Sequence, residues 1–210
     1  MPLENRVNPS GEIVSYAARG TVMGNRGGRM HDPETKMLHP TKRWATKQWI
    51  CCRTEFNGRQ RTVMGAGYTE LFFLDEVTAL SAGHRPCFEC RREDFLDFAD
   101  RWRKVKRQRK RPTAKQMDDR LHDERLYEKQ KAIVRMFWND LPNGAMIAHE
   151  GGAVAKCNNM PLRWTENGYE KLADGDTQFA DRLVSCLTPP TLLKILRHGY
   201  KPKWHESAQL

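Results

Sequence analysis

The alternation of apolar and polar positions divides the 210-residue chain into a mixed N-terminal half, a basic middle and a strand-rich last third. "GEIVSYAARGTVM" alternates enough for a short strand, and "GNRGGRMHD" follows as a tight loop. Gly24, Gly27 and Gly28 there allow positive φ and close backbone approach. "QWICCRTEF" is β-prone, Asn57-Gly58 is a strong hairpin-turn signal, and "RQRTVM" is predicted to return as the partner strand. Along the first of these strands, Trp49, Cys51 and Arg53 share one face, while Ile50, Cys52 and Thr54 share the other. "ELFFL" reads as a short apolar strand. Asp75 is placed to cap a helix through Ala82, with Gly83 as its C′ residue. "HRPCFEC" forms a knuckle, and the next helix runs from about Cys90 to Trp102 with Phe95, Phe98 and Trp102 as its apolar stripe.

Residues 101–116 contain nine lysines and arginines and no acid, and Pro112 is expected to end or break the helix that enters them. Such a run reads as a solvated, mobile basic segment. "MDDRLHDERLYEKQKAIVRMFW" has helical spacing at Leu121, Leu126, Ile133 and Phe137. Beyond it, "PNGAMIAHEGGAVAKCNNMPLRWTENGYEKL" alternates short strands with turns, "RLVSCLTPP" is a buried strand, and "TLLKILRHGY" is a short helix stopped by Gly199. The expected fold is therefore α+β. Residues 1–105 form a module of β-hairpin, short helix, Cys-x-x-Cys knuckle and helix. Residues 106–117 are a basic segment, and 118–210 are a helix plus a smaller β-rich unit packed against the first.

Hydrophobic residues make up 39% of the chain and charged ones 30%, so it can bury a core but holds no apolar run near the ~18 residues of a membrane helix. The N-terminus lacks the hydrophobic region of a secretory signal, so a cytoplasmic location and no membrane partner are expected. The formal charge is +10, from 36 Lys and Arg against 26 Asp and Glu. That surplus favours a polyanionic partner, with nucleic acid first and DNA ahead of RNA.

In a reducing compartment the six cysteines do not form structural disulfides, so their clustering matters most. Cys157 and Cys186 stand alone and pack as small hydrophobes. Cys87 and Cys90 are spaced to chelate one tetrahedral Zn²⁺, each sulfur lying ~2.3 Å from a common point. Pro86 stiffens the approach, and the following helix turns its N-terminal amides toward the thiolates. Strand alternation allows one of Cys51 and Cys52 to join them, and Cys52 is the choice here. Cys51, His39, His31 and His84 are the candidates for a fourth ligand. Redox chemistry, the other use of Cys-x-x-C, wants a strand-to-helix junction, whereas a helix precedes this knuckle.

"ELFFLDEVTALSAGHRPCFECRR" resembles the zinc-binding N-terminal domain of the Ada DNA-alkylation repair and response family, through Phe72, Phe73, Ala79, Gly83, Arg85, Pro86, Cys87 and Cys90. The resemblance covers residues 70–92 and implies a zinc-held fold used near DNA. His84 stands where that family usually has Tyr or Phe. The family's two upstream cysteines are separated by three residues, and one is the alkyl acceptor. Here Cys51 and Cys52 are adjacent, with 34 residues between Cys52 and Cys87, so acceptor chemistry is not carried over. The rest of the chain resembles only uncharacterised bacterial proteins.

Two functions follow as expectations. The first is a zinc-stabilised nucleic-acid-binding protein in DNA repair or its regulation. Its contacts would come from Arg26, Arg29, Arg53, Arg85, Arg91, Arg92, Lys104, Lys106, Arg107, Arg109, Lys110 and Arg111, with Trp44 as a base platform beside Trp49. The second is a hydrolase- or nuclease-like enzyme on nucleic acid or a nucleotide. Its weak acid–base candidates are His31, in a loop able to cradle an anion, and His122 with Asp123, near Asp118 and Arg125 on the same helix.

Overall fold

The computed structural model describes residues 2–60, 62–125, 133–172 and 179–209. It is an α+β fold of two six-stranded sheets and four α-helices among those residues. The first sheet contains β1 (Arg6–Val7), β2 (Ile13–Val14), β3 (Val22–Arg26), β4 (Trp49–Arg53), β5 (Leu71–Phe73) and β6 (Arg85–Pro86). Their order is β2-β1-β5-β3-β4-β6. The second sheet contains β7 (Val134–Phe137), β8 (Met146–His149), β9 (Gly152–Cys157), β10 (Met160–Thr165), β11 (Gly168–Lys171) and β12 (Leu183–Cys186), ordered β11-β10-β9-β8-β12-β7. The helices are α1 (Glu76–Ser81), α2 (Arg92–Val105), α3 (Ala114–Arg125) and α4 (Pro190–Arg197). No helix of the described residues is long and apolar enough to cross a membrane.

The expected hairpin partner of β4 is replaced. Asn57 (φ 51°) and Gly58 (φ 64°) do take left-handed turn conformations. Yet residues 59–64 form no strand where they are described, and Arg61 lies outside the described residues. Both edges of β4 are already filled. β3 pairs antiparallel, with Met23 opposite Cys52 and Arg26 opposite Trp49, while β6 pairs parallel, with Cys51 opposite Pro86. Gly24 makes the first pairing possible from within β3 rather than from a loop. A Cβ there would lie 2.2 Å from the Ile50 carbonyl oxygen and 2.9 Å from the Phe73 ring.

Alternation gives this sheet two different faces. Cys51, Leu71 and Phe73 pack inward with Met30 and Ala79. Met23 and Cys52 pack on the other face with Cys87 and Cys90, flanked by Ile50, Phe56 and Phe72.

Helix α1 begins as the sequence predicts. The Asp75 carboxylate accepts from the Thr78 backbone N–H at 2.8 Å, and Gly83 takes φ +83° beyond the C-cap. All six α1 residues are buried, because α1 joins the two sheets. Tyr169 Oη donates to Asp75, Trp164 Nε1 to Thr78 Oγ1, and Tyr200 Oη to Glu76 at 2.7 Å. Phe95, Phe98 and Trp102 of α2, Met117 and Leu121 of α3, and Leu192, Ile195 and Leu196 of α4 share one apolar cluster. The N-terminal half and the β-rich third therefore share a core.

Helix α2 stops earlier than Pro112, at Val105, with Lys106 as its C-cap and Arg107 at φ 50°. Pro112 instead lies just ahead of α3. Of the helical spacing read through 121–137, Leu121 lies in α3, described to Arg125. Leu126 lies outside the described residues, and Phe137 closes β7, paired with Leu183 of β12.

Candidate metal centre

The Sγ atoms of Cys52, Cys87 and Cys90 lie within 4.8 Å of one another, and all three side chains are buried. Local pairing explains the convergence. The Cys87 N–H donates to the Cys51 carbonyl at 2.9 Å, which seats the knuckle beside β4. The Arg91 N–H donates to the Cys87 carbonyl at 3.1 Å, closing the turn that returns Cys90 toward Cys87. The Arg53 N–H points at Cys90 Sγ at 3.4 Å. A tetrahedral zinc ~2.3 Å from each sulfur needs the sulfurs ~3.8 Å apart, which this spacing accommodates. The donor set is thiol only and contains no disulfide, so it fits a soft or borderline divalent ion.

The three thiols titrate as a group. Hydrogen bonds from the Cys52 and Cys90 thiols, then from the backbone N–H groups of Cys90 and Glu89, hold Cys87 well below the usual thiol range. Cys52 is raised by its bonds to Cys87 and Cys90 and by burial. Cys90 is raised too; its bond with Cys52 lowers it, but Cys87 and burial outweigh that. The thiols thus share their protons as one cluster. A bound cation would take the place of those protons.

None of the four candidate fourth ligands joins the group. Cys51 faces the opposite side of β4, where its Sγ accepts from Arg91 Nη1 at 3.3 Å and burial pushes its thiol up to about 12. His31 is buried with Nδ1 2.6 Å from Thr69 Oγ1 and Nε2 2.9 Å from the Gly65 carbonyl. His84 is enclosed by Trp49 and Phe73, at ring-centroid distances of 5.0 and 4.6 Å. His39 is exposed. Among the described residues no other His, Cys, Asp or Glu completes the set. A cavity of about 280 Å³ borders the thiols, lined among others by Met23, Asn25, Ile50, Phe56, Glu70 and Phe72. Within it Glu70 is buried and accepts from the Met64 N–H at 2.8 Å.

The basic residues separate into two populations. Arg29, Arg53, Arg92, Lys104, Arg107, Arg109, Lys110 and Arg111 are exposed, and Lys106 is half-buried. Arg111 Nε donates to Asp100 at 2.7 Å, and the Arg92 guanidinium lies 4.6 Å from the exposed Phe88 ring. Arg26, Arg85 and Arg91 are buried and do not present themselves to a polyanion at the surface. Arg85 is held by Asp118 through bonds of 2.8 and 2.7 Å, and Arg91 by Glu76 at 2.7 Å and Asp94 at 2.8 Å. Trp44 is 38% exposed and meets His122 edge-on at 5.9 Å. His122 is half-buried, its pKa lowered by burial and by Arg125 and Lys47. Asp123 is exposed, and the expected helper Asp118 is committed to Arg85.

The sequence placed Trp49 beside Trp44 but did not bring Arg26 and Arg125 to its ring. Its buried ring lies 3.9 Å from the Arg26 guanidinium and 4.1 Å from that of Arg125. No protein-family model, curated protein or solved structure matches this chain.

Proposed function

We propose that this chain is a zinc-stapled nucleic-acid-binding protein. Cys52, Cys87 and Cys90 would hold the metal, tying β4 to the knuckle and fixing the start of α2. Three buried thiols within 4.8 Å of one another carry this reading. Zinc suits them because a thiolate set in a reducing compartment favours a tetrahedral ion without redox chemistry. The fourth donor then comes from outside the described residues, by way of the adjoining cavity. The nucleic-acid part rests on the +10 charge and on the exposed residues Arg53, Arg92, Lys104, Arg107, Arg109 and Lys110. Duplex DNA is the first partner to try, and the resemblance over residues 70–92 adds repair or its regulation as the setting. The enzyme alternative has less support. Both ring nitrogens of His31 are engaged internally, and among the described residues no carboxylate is hydrogen-bonded to His122.

Elemental analysis of the purified protein should find one zinc per chain. Binding to a random DNA duplex should weaken steeply with salt. About six phosphate contacts give a slope of log K against log salt near −5. A metal-free protein that folds normally would remove the staple, and a flat salt response would remove the polyanion.

A further inference from the structure

We propose that the cavity bounded by Arg26, Arg43, Trp44, Trp49 and Arg125 is a second ligand site, which binds the phosphate of a nucleotide, free or within a strand. The site lies away from the cysteines. Trp49 and Arg26 are register partners at one end of the β3–β4 pair, whereas Met23 and Cys52 lie toward the other. The cavity measures about 620 Å³. Only the choice of a nucleotide over another phosphate rests on the nucleic-acid reading above.

Charge accounting within the fold makes the argument. Among the described residues four arginines are buried to 4% exposure or less: Arg26, Arg85, Arg91 and Arg125. A guanidinium does not shed its proton as a buried lysine can, so burying one calls for an anion nearby. Arg85 and Arg91 obey this rule, with carboxylates at 2.7–2.8 Å. Arg26 does not, and Arg125 has Asp118, Glu124 and Asp123 in its surroundings but no carboxylate at ion-pair distance among the described residues. Arg26 donates to the Gly11 carbonyl at 2.7 Å, the Arg43 carbonyl at 3.3 Å and His84 Nε2 at 3.5 Å. Arg125 donates to the carbonyls of Gly83 at 2.7 Å and Lys47 at 2.9 Å, and its Nε has no hydrogen-bond partner. Among the described residues neither has an ion pair, and both line this cavity. Arg85 and Arg91 are paired within the fold, whereas Arg26 and Arg125, without an ion pair among the described residues, line the cavity.

The remaining lining completes an anion site. Arg43 adds a third guanidinium, held by the His39 carbonyl at 2.6 Å. Trp49 Nε1 is a buried donor without a partner among the described residues. Glu12 is the one acid among the lining residues, and its carboxylate accepts from Asn8 Nδ2 at 2.7 Å. Burial and the charges of Arg125 and Arg43 lower the Arg26 pKa to about 9, a cost that a bound anion would relieve. Gly83 makes room for this arrangement, since a Cβ there would meet Arg125 Cδ at 2.5 Å. Trp44, partly exposed at the cavity, offers a face for a base.

Isothermal titration of the zinc-loaded full-length protein with inorganic phosphate, AMP and a short oligothymidylate tests the site. Saturable binding of one equivalent of AMP is expected, tighter than phosphate, with a dissociation constant raised at least tenfold in Arg43→Gln. Arg43 is half-buried and holds no helix or strand, so this variant should fold. Arg125→Met, which keeps the stem against Trp49, should abolish binding. Tighter binding of the oligonucleotide than of AMP would assign the site to a strand, and the reverse to a free nucleotide. If none of the three probes binds saturably, or if Arg43→Gln and Arg125→Met both bind as the parent does, the proposal is overturned. Salt-sensitive duplex binding surviving in that case would leave the surface reading standing.

Discussion

The two faces of β4 pose opposite electrostatic problems within one strand. On one face Cys52 meets Cys87 and Cys90, a group that becomes anionic once its protons leave. On the other, Trp49 is flanked by Arg26 and Arg125, permanent cations with no ion pair among the described residues. Thiols can keep their protons until a metal takes their place. Guanidiniums have no such resort, so their unfinished state costs stability from the moment the chain folds. A buried cluster of weak acids therefore reveals less about its missing partner than a buried cluster of strong bases.

The largest test of this contrast is removal of the metal. Cys87→Ser, or chelation of the parent, should release one zinc and cost more than ~5 kcal/mol, since metal affinity at such a site is folding free energy. Thermal melts with and without chelator read the effect directly. An unchanged melting temperature would mean that the cysteine face is no staple. Next comes Asp118→Asn. It strands Arg85, whose pair is now complete, and should cost about 3–5 kcal/mol by denaturant titration. Arg26→Met should cost far less, or stabilise, because no carboxylate is stranded. Equal losses in the two variants would erase the distinction between paired and unpaired arginines.

Smaller again is a pH effect at His84. Burial, then repulsion from Arg26 and Arg125, holds its pKa well below the usual 6.5. In the unfolded chain His84 takes up a proton near pH 6.5, while in the fold it stays neutral. The unfolded state thus binds more protons below that pH, and stability falls as the solution is acidified. The slope reaches at most about 1.4 kcal/mol per pH unit for this group. His84→Phe should flatten that part of the profile between pH 6.5 and 5, and an unaltered slope would locate the acid sensitivity elsewhere.

The contrast between the two faces also marks what could be read in advance. The knuckle is local. Cys87 and Cys90 share one turn, Asp75 caps the helix three residues from Thr78, and Gly83 takes its left-handed turn in place. Period-two alternation limited the strand to one of Cys51 and Cys52, because only one of two adjacent strand residues can face the knuckle, but it did not say which. The second sheet was legible in outline for the same reason, β8 to β11 being successive antiparallel neighbours. The pairing of β3 with β4 was not, for Gly24 looked like loop punctuation and the Asn57-Gly58 turn promised a nearer partner. Buried arginines were hidden by the same non-locality. Asp118 lies 33 residues from Arg85, and Arg125 reaches Lys47 across 78. Composition gives every arginine to the surface until such partners are known.

The smallest effect concerns Cys51, and it decides whether the faces are separate at all. Cys51→Ala removes a fully buried sulfur that accepts from Arg91 Nη1. The loss should be about 1 kcal/mol, that of a modest core truncation, because Glu76 and Asp94 still hold the Arg91 guanidinium. Zinc content should stay at one per chain, and the cobalt-substituted protein should keep the visible spectrum of the parent. Adding azide to that cobalt form should shift the ligand-field bands, since no side chain among the described residues fills the fourth position. Loss of zinc in Cys51→Ala would make Cys51 a ligand, β4 would then contribute from both faces, and the division between a cation-seeking and an anion-seeking side would fall.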